Sequence, residues 1–168
     1  MKAKLFFTVF IGMAIVPLVL AYAALNLGWY TPGATAKGQF VDQEIQLSIG
    51  TDSKAGIWRI VAQPEGNCSM HCEELLYGLN QTYIALGKLQ TRVEARVLSD
   101  QLDLSKYPKL IPSNSTENQL TSQFLYLVDP FGKVILQYPV NTDRQQTITT
   151  SKAVLSDIKK LLKYSRVG

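Results

Sequence analysis

An apolar segment near the N-terminus constrains this chain more than any other feature. Leu5 to Leu25 carries no charge, and an α-helix of that length spans about 30 Å, the hydrocarbon thickness of a bilayer. Two lysines precede it, and Trp29 and Tyr30 follow where an interfacial aromatic belt lies. The pattern predicts a single transmembrane anchor over residues 5–29, with a cytoplasmic N-terminus and the C-terminal part on the opposite side.

A cleaved signal peptide is the alternative interpretation of the same segment. Ala21-Tyr22-Ala23 has the small-residue pattern of a cleavage site. The apolar run is longer than the 7–15 residues of a usual signal peptide, which favours the anchor. Either way the remainder is exported, and we expect a linker at residues 30–37 and one globular domain at 38–168.

Composition excludes several classes of protein. The formal net charge is +4, and charged residues make up 18% of the chain without forming a basic patch, so nucleic-acid binding is not expected. A hydrophobic content of 46% is enough for a core, which excludes intrinsic disorder. Two cysteines do not make a disulfide-dense scaffold, and a single histidine disfavours a Ser-His-Asp hydrolase.

The first half of the domain has the pattern of a parallel strand–helix–strand unit. Phe40 to Ile49 alternates imperfectly and predicts an edge strand or a hairpin arm. Trp58 to Ala62 predicts a short buried strand, apolar spacing predicts a helix from Met70 to about Leu89, and Arg92 to Leu98 predicts a second strand. A right-handed crossover is the expected connection between such strands. A loop is expected from residue 100 to residue 118.

The second half predicts a hairpin followed by a helix. The apolar run Phe124 to Val128 predicts a central strand, and Asp129-Pro130-Phe131-Gly132 fits a type I turn leading to a strand at Val134 to Val140. Ser151 is the expected cap of the last helix. The complete order predicts an α/β fold of the thioredoxin-like type, a central mixed sheet with flanking helices.

The chemistry of the chain is concentrated in Cys68-Ser69-Met70-His71-Cys72, at the junction of the first strand and its helix. The partial positive charge of a helix N-terminus stabilises a thiolate. Residues four apart in a helix lie about 6 Å apart at Cα, within disulfide range. Two sulfurs about 4 Å apart also hold one metal ion, and soft thiolates favour Cu(I).

Three interpretations of His71 stay open at this stage. It is a metal ligand, a residue that tunes the pKa of the thiols, or an exposed polar side chain. Ligation by His71 requires a non-helical loop, because adjacent helical residues point about 100° apart. For Met70 we expect an apolar contact, and for Glu73 and Glu74 a favourable interaction with the helix dipole.

An inert structural disulfide is the alternative to a reactive cysteine pair. A bridge that closes so short a loop restricts the unfolded chain very little, so its contribution to stability is small. This favours a redox or metal-binding function for Cys68 and Cys72.

The chain resembles the SCO/SenC copper-delivery proteins of cytochrome c oxidase assembly. It resembles more closely a smaller bacterial family of membrane-anchored, thioredoxin-like proteins associated with the same assembly. The resemblance lies in the N-terminal anchor, the C-x-x-x-C after the first strand and the late strand–turn–strand. The similar stretches are Trp58 to Cys72, Leu75 to Tyr77, Ala85 to Lys88, Arg92-Val93, Leu125 to Gly132, Tyr138-Pro139, Asp157 to Leu162 and Ser165 to Gly168.

One departure from the copper-delivery proteins concerns the metal. Those proteins carry a histidine just before the late central strand, and the corresponding residue here is Thr121. Thr121-Ser122-Gln123 also lacks a thioredoxin-type proline. The resemblance therefore implies two-coordinate Cu(I) binding or thiol–disulfide exchange rather than a complete Cys-Cys-His site.

The resemblance implies a periplasmic assembly factor, anchored in the bacterial inner membrane. Cys68 would be the attacking thiolate, and Cys72 would resolve the mixed disulfide or act as second copper ligand. The implied partner is a subunit of cytochrome c oxidase or another copper-assembly protein. The alternatives are a non-catalytic assembly scaffold with a structural disulfide and, less favoured without C-x-x-C and proline, a general periplasmic disulfide reductase.

Overall fold

The computed structural model describes residues 2–27, 36–48, 56–66, 68–99, 101–113 and 120–165. Internal contacts divide the chain into two units, residues 1–35 and 36–168. In the first unit, helix α1 spans Lys2–Asn26 and contains Pro17. Its segment Lys4–Ala24 is long and apolar enough to cross a membrane, as the sequence predicts. Trp29, Tyr30 and residues 30–35 of the predicted linker lie outside the described residues.

The described part of the second unit is a mixed sheet with two α-helices. The strand order is β1-β6-β5-β2-β3-β4; β2, β3 and β4 run parallel, whereas β5 pairs antiparallel with β2 and β6, and β6 pairs antiparallel with β1. The strands are β1 (Gln39–Phe40), β2 (Trp58–Ala62), β3 (Val93–Leu98), β4 (Ile111–Ser113), β5 (Phe124–Val128) and β6 (Val134–Pro139). The helices are α2 (Met70–Ala85), a 3-10 helix (Gly87–Arg92) and α3 (Arg144–Tyr164). The predicted thioredoxin-like α/β fold is confirmed.

The two central strands fix the position of the helices. All five residues of β2 are buried, and Ile60 pairs with Ala95 on one side and Leu127 on the other. Both α2 and α3 contribute to the larger core cluster, through side chains that include Leu75, Leu79, Val154 and Ile158. Burying each such side chain contributes about 1.5–3 kcal/mol, so this packing holds the start of α2 above the end of β2.

A second cluster lies on the other side of the central strands. Its buried residues are Leu47, Val61, Leu98, Leu120, Tyr126, Val128 and Val134. Leu47 N donates to Gly132 O at 2.8 Å, which brings the segment before β2 onto the β5–β6 turn. Gly132 has φ +91°, and a Cβ there would lie 2.5 Å from Leu47 O, so both conformation and space require glycine. The predicted turn is confirmed, with Gly132 N donating to Asp129 O at 3.1 Å.

The last helix begins earlier than predicted, so the assignment of Ser151 as its cap is wrong. Asp143 is the N-cap, and its side chain accepts a hydrogen bond from Gln145 N at 3.2 Å. Ser151 lies inside α3, is buried, and donates to Gly78 O at 3.2 Å. The first two turns of α3 carry polar residues but still pack against the domain, since Thr147 is fully buried. The apolar stripe alone therefore underestimates the length of the helix.

Other boundaries also differ from the prediction. The regular part of α2 ends at Ala85 and a 3-10 helix follows, whereas apolar spacing predicts a helix to about Leu89. The predicted loop at 100–118 contains β4, whose pairing with β3 is a tertiary contact. Of the predicted strand at 40–49, the described part shows only the end of β1 at Phe40 and an isolated bridge between Gln46 and Lys133.

A buried carboxylate binds the start of the second unit. Asp157 of α3 is 2% exposed, and its Oδ2 accepts hydrogen bonds from Lys37 N (2.6 Å), Gly38 N (3.0 Å) and Tyr138 Oη (3.0 Å). Burial, together with this carboxylate, raises the pKa of Tyr138 and keeps the phenol protonated as the donor. A Cβ at Gly38 would lie 2.5 Å from the Tyr138 ring, so the approach also requires glycine there.

We predict that Asp157→Ala lowers the free energy of unfolding by about 2–4 kcal/mol, because it leaves three donors without their acceptor. Tyr138→Phe removes one donor and should cost only about 1 kcal/mol. Urea unfolding monitored by circular dichroism measures both. Asp103→Ala, at an exposed carboxylate, is the matched control; a loss as large as that of Asp157→Ala would contradict the assignment.

Candidate functional site

Cys68 and Cys72 form a disulfide at the start of α2, with their Cα atoms 5.1 Å apart. The separation is shorter than the 6 Å expected for two helical residues because only Cys72 is in the helix. Ser69 is the N-cap and is extended (φ −80°, ψ 176°), so Cys68 lies outside α2. The assumption of helical spacing is therefore wrong, and the pair is held at a loop–helix junction.

The two cysteines differ sharply in exposure. Cys68 is exposed, whereas Cys72 is 2% exposed and belongs to the core cluster beneath α2. A large partner therefore reaches the sulfur of Cys68 before that of Cys72. Cys72 lies in the first turn of α2, where the uncompensated amide groups favour a negative charge. Among the described residues, the side chain of Ser69 makes no capping hydrogen bond to these amides. The amides therefore remain available to stabilise a thiolate of Cys72.

His71 also lies in the first turn of α2 and is half-buried. Its Nε2 is 3.1 Å from Ser122 O. A carbonyl only accepts, so Nε2 carries the proton and donates. This leaves Nδ1 as the nitrogen with a lone pair in the neutral ring. Within the described residues, no group of three or more His, Cys, Asp or Glu side chains is arranged to hold a metal ion.

The segment at Thr121 to Gln123, which carries neither the family histidine nor a proline, is held by hydrogen bonds instead. Ser122 Oγ donates to Glu65 Oε1 at 2.7 Å, and Thr121 N donates to Tyr126 Oη at 3.0 Å. The contacts with Glu65 and His71 connect the segment to both sides of the cysteine loop, and the contact with Tyr126 ties it to β5. Glu65 and Ser122 were not predicted from the sequence, because contacts between residues 57 apart leave no local pattern.

An open groove runs along this junction, on the Cys72 side. It is lined by Pro64, Glu65, Ser69, His71, Cys72, Ser122, Gln123, Phe124, residues 139–143 and Gln146. A second groove adjoins Cys68 and is lined by Gly66, Glu73, Leu76, residues 101–103, Lys106 and Tyr107. The two cysteines of the disulfide therefore border different grooves.

Met70 and Glu74 of α2 depart from expectation, whereas Glu73 lies in the first turn of the helix as predicted. Met70 is 71% exposed, so the predicted apolar contact is wrong. Glu73 is exposed, but Glu74 is buried and pairs with Arg144 Nη2 of α3 at 2.6 Å. The Arg144 guanidinium also stacks over the Tyr77 ring, 3.7 Å from its centroid. Glu74 thus joins the two helices, in addition to its place near the helix N-terminus.

Residues 58–165 match the family described as "Transmembrane-like, thioredoxin-like, C-terminal domain". The chain belongs to this family. The matched region of this transmembrane-like, thioredoxin-like family runs from β2 to α3 and includes both cysteines. No curated protein matches the chain.

Solved structures of SCO proteins share the fold. Apo Sco1 from Thermus thermophilus is 14% identical, with a TM-score of 0.50 over 78% of this chain and 99% of its own. Yeast Sco1 is 17% identical, with a TM-score of 0.50 over 74% of this chain and 96% of its own. Bradyrhizobium japonicum ScoI, solved with copper bound, is 18% identical, with a TM-score of 0.46 over 70% and 97%. The resemblance expected from sequence is confirmed as a shared thioredoxin-like fold.

We predict that iodoacetamide modifies Cys68 well before Cys72 in the reduced, folded protein, because Cys72 is buried under the start of α2. Peptide mass spectrometry after timed quenching measures the two rates. In guanidinium chloride the rates should become similar, which serves as the control. Equal rates in the folded protein would show that the difference in exposure is lost on reduction.

Proposed function

We propose that this protein is a membrane-anchored thioredoxin-like factor that assists cytochrome c oxidase assembly. It would do so by handling Cu(I) or by thiol–disulfide exchange at Cys68 and Cys72. The observation that carries the proposal is a disulfide at the N-terminus of α2 with one exposed and one buried sulfur. The fold shared with Sco1 proteins supports it.

In the exchange reaction, a thiolate of a partner attacks Sγ of Cys68. A mixed disulfide forms, the Cys68–Cys72 bond breaks, and Cys72 leaves as a thiolate at the N-terminus of α2. A second partner thiolate then displaces Cys68, so the partner dithiol is oxidised to a disulfide and this protein is reduced. In the reverse direction, Cys68 attacks a partner disulfide and Cys72 resolves the mixed disulfide.

The reduced pair also fits Cu(I) as a cargo. Cys68 and Cys72 would supply two soft thiolates, as Cu(I) prefers. His71 would contribute through Nδ1, since Nε2 is bound to Ser122. The partner would be an oxidase subunit or another copper-assembly protein. The long apolar segment of α1 and the lysines before it support an inner-membrane anchor with a periplasmic C-terminal domain.

We predict that the double variant Cys68→Ser, Cys72→Ser abolishes the contribution to oxidase assembly while the domain stays folded, because the disulfide closes too short a loop to stabilise much. Oxidase activity and subunit copper content in cells that carry the variant measure this. Ser69→Ala, between the cysteines, is the matched control and should retain function. Retained assembly in the double variant would overturn the proposal.

A non-catalytic scaffold with a static disulfide is the second candidate, favoured by the burial of Cys72 and by the hydrogen bonds around its loop. The reduction potential separates the two functions. A structural bridge should have a potential below about −300 mV, and an exchanging one a higher potential. Equilibration with defined glutathione or dithiothreitol buffers, followed by thiol trapping, measures it.

A further inference from the structure

Helix α3 holds the excess positive charge of the second unit. It carries five lysines and arginines and a single carboxylate, Asp157. Residues 37–143 carry nine lysines and arginines against twelve aspartates and glutamates. The net positive charge of the unit therefore comes from this one helix rather than from an even scatter over the domain.

Three of these lysines lie on one side of the helix, although they form no run in the sequence. Lys159 and Lys163 follow Lys152 by seven and eleven residues, which places all three within about 40° around an α-helix. Each is exposed. Among the described residues no carboxylate forms an ion pair with them, and Asp157 is 2% exposed and bound to Tyr138 Oη. A row of positive charge, the lysine stripe, therefore faces the solvent.

The helix dipole accounts for only part of the lysine stripe. Its effect falls off within the last turn, and Lys163 is the basic residue of that turn. Lys152 lies in the middle of the helix, beyond the reach of this effect. Tyr164, whose ring centroid is 5.9 Å from Lys163 Nζ, is 77% exposed. Tyrosine is enriched at membrane interfaces, and lysine is attracted to anionic lipid headgroups, so these side chains together suit a membrane surface.

The chain enters the second unit beside this helix. Lys37 N and Gly38 N bind Asp157 Oδ2, and Asp157 is in the same turn of α3 as Lys159. Residues 27–35 separate the end of α1 from the second unit, and a segment of nine residues extends to at most about 35 Å. The covalent chain therefore keeps α3 near any membrane that α1 crosses.

Most of the lysine stripe is remote from the cysteines. Helices α2 and α3 both begin near the cysteine loop, where Arg144 pairs with Glu74. Along α3, Lys159 and Lys163 are about 22 and 28 Å from Arg144 at 1.5 Å per residue. A surface bound by this part of α3 therefore leaves the grooves beside the disulfide uncovered.

We propose that the lysine stripe of α3 binds anionic phospholipid headgroups of the membrane that anchors the chain, and that this contact keeps the cysteine grooves clear of the bilayer. The inference rests on the membrane anchor proposed above and does not require either the copper or the exchange chemistry. Each lysine held near an anionic surface favours the bound orientation by a factor of about five, so three favour it about a hundredfold. The bound orientation would present the disulfide to partners in the same membrane.

The test uses the full-length chain in lipid nanodiscs at low salt. One set contains phosphatidylcholine alone, and the other an equal mixture of phosphatidylcholine and anionic phosphatidylglycerol. Brief acetylation with sulfosuccinimidyl acetate, followed by peptide mass spectrometry, gives a reaction rate for each lysine. We expect the lysine stripe to react at least about fivefold more slowly in the anionic nanodiscs. Lys106 and Lys109, between β3 and β4, should react at the same rate in both.

Salt and a variant separate lipid binding from other causes of protection. Raising the ionic strength from about 0.01 M to about 1 M shortens the Debye length from about 30 Å to about 3 Å, so the protection should disappear. The double variant Lys159→Gln, Lys163→Gln should remove the protection of Lys152 in anionic nanodiscs. The matched control Lys106→Gln, Lys109→Gln should preserve it. Circular dichroism checks that both variants are folded, and the wild-type rates decide the question without them.

The outcomes distinguish this inference from the proposed function. Slower acetylation of the lysine stripe that is confined to anionic nanodiscs and abolished by salt supports lipid binding. Equal rates in both membranes overturn it and leave the stripe to an acidic protein surface, and protection in both overturns it because anionic headgroups are then not needed. A chain that separates from the nanodiscs at high salt overturns the anchor and this inference with it. None of these results changes the tests of Cys68 and Cys72 given above.

Discussion

The site depends on the burial of β2. This strand pairs in parallel with β3 and antiparallel with β5, and none of its residues is exposed. A parallel neighbour requires a crossover, and α2 is that crossover, so the chain must turn from the end of β2 into the start of α2. The cysteines occupy this turn. Packing of Leu75 and Leu79 against the sheet then determines which of the two sulfurs is buried.

Much of this arrangement is visible in the sequence, for physical reasons. The strand Trp58 to Ala62 and the strand Phe124 to Val128 have the predicted bounds because both are short, apolar and bounded by turn residues. The location of the cysteines at a helix N-terminus follows from the same pattern. Features that need partners far along the chain could not be predicted in this way. These are the pairing of β4 with β3, the ion pair of Glu74 with Arg144, and the orientation of His71 toward Ser122.

The segment at Thr121 to Gln123 shows how one fold maintains a loop with different chemistry. It lies beside the cysteines, where the resemblance to copper-delivery proteins leads one to expect a histidine. Here the chain's histidine comes from the opposite side, as His71 of α2, and binds the segment through Ser122 O. Ser122 Oγ and Glu65 add a second bond. The conformation of residues 121–123 therefore depends on side-chain hydrogen bonds from the cysteine loop. A structural change in either segment should alter the conformation of the other.

Asp157 has a consequence for the order in which the protein acquires its structure during synthesis. Its carboxylate binds Lys37 N and Gly38 N, which precede it by 120 and 119 residues. The ribosome therefore releases the first residues of the domain long before their acceptor exists. Until α3 has been translated and has packed, Lys37 N and Gly38 N lack this acceptor, whereas Gln39 and Phe40 can already pair with β6. The domain that follows the apolar helix therefore completes these hydrogen bonds only when nearly all of α3 has been synthesised.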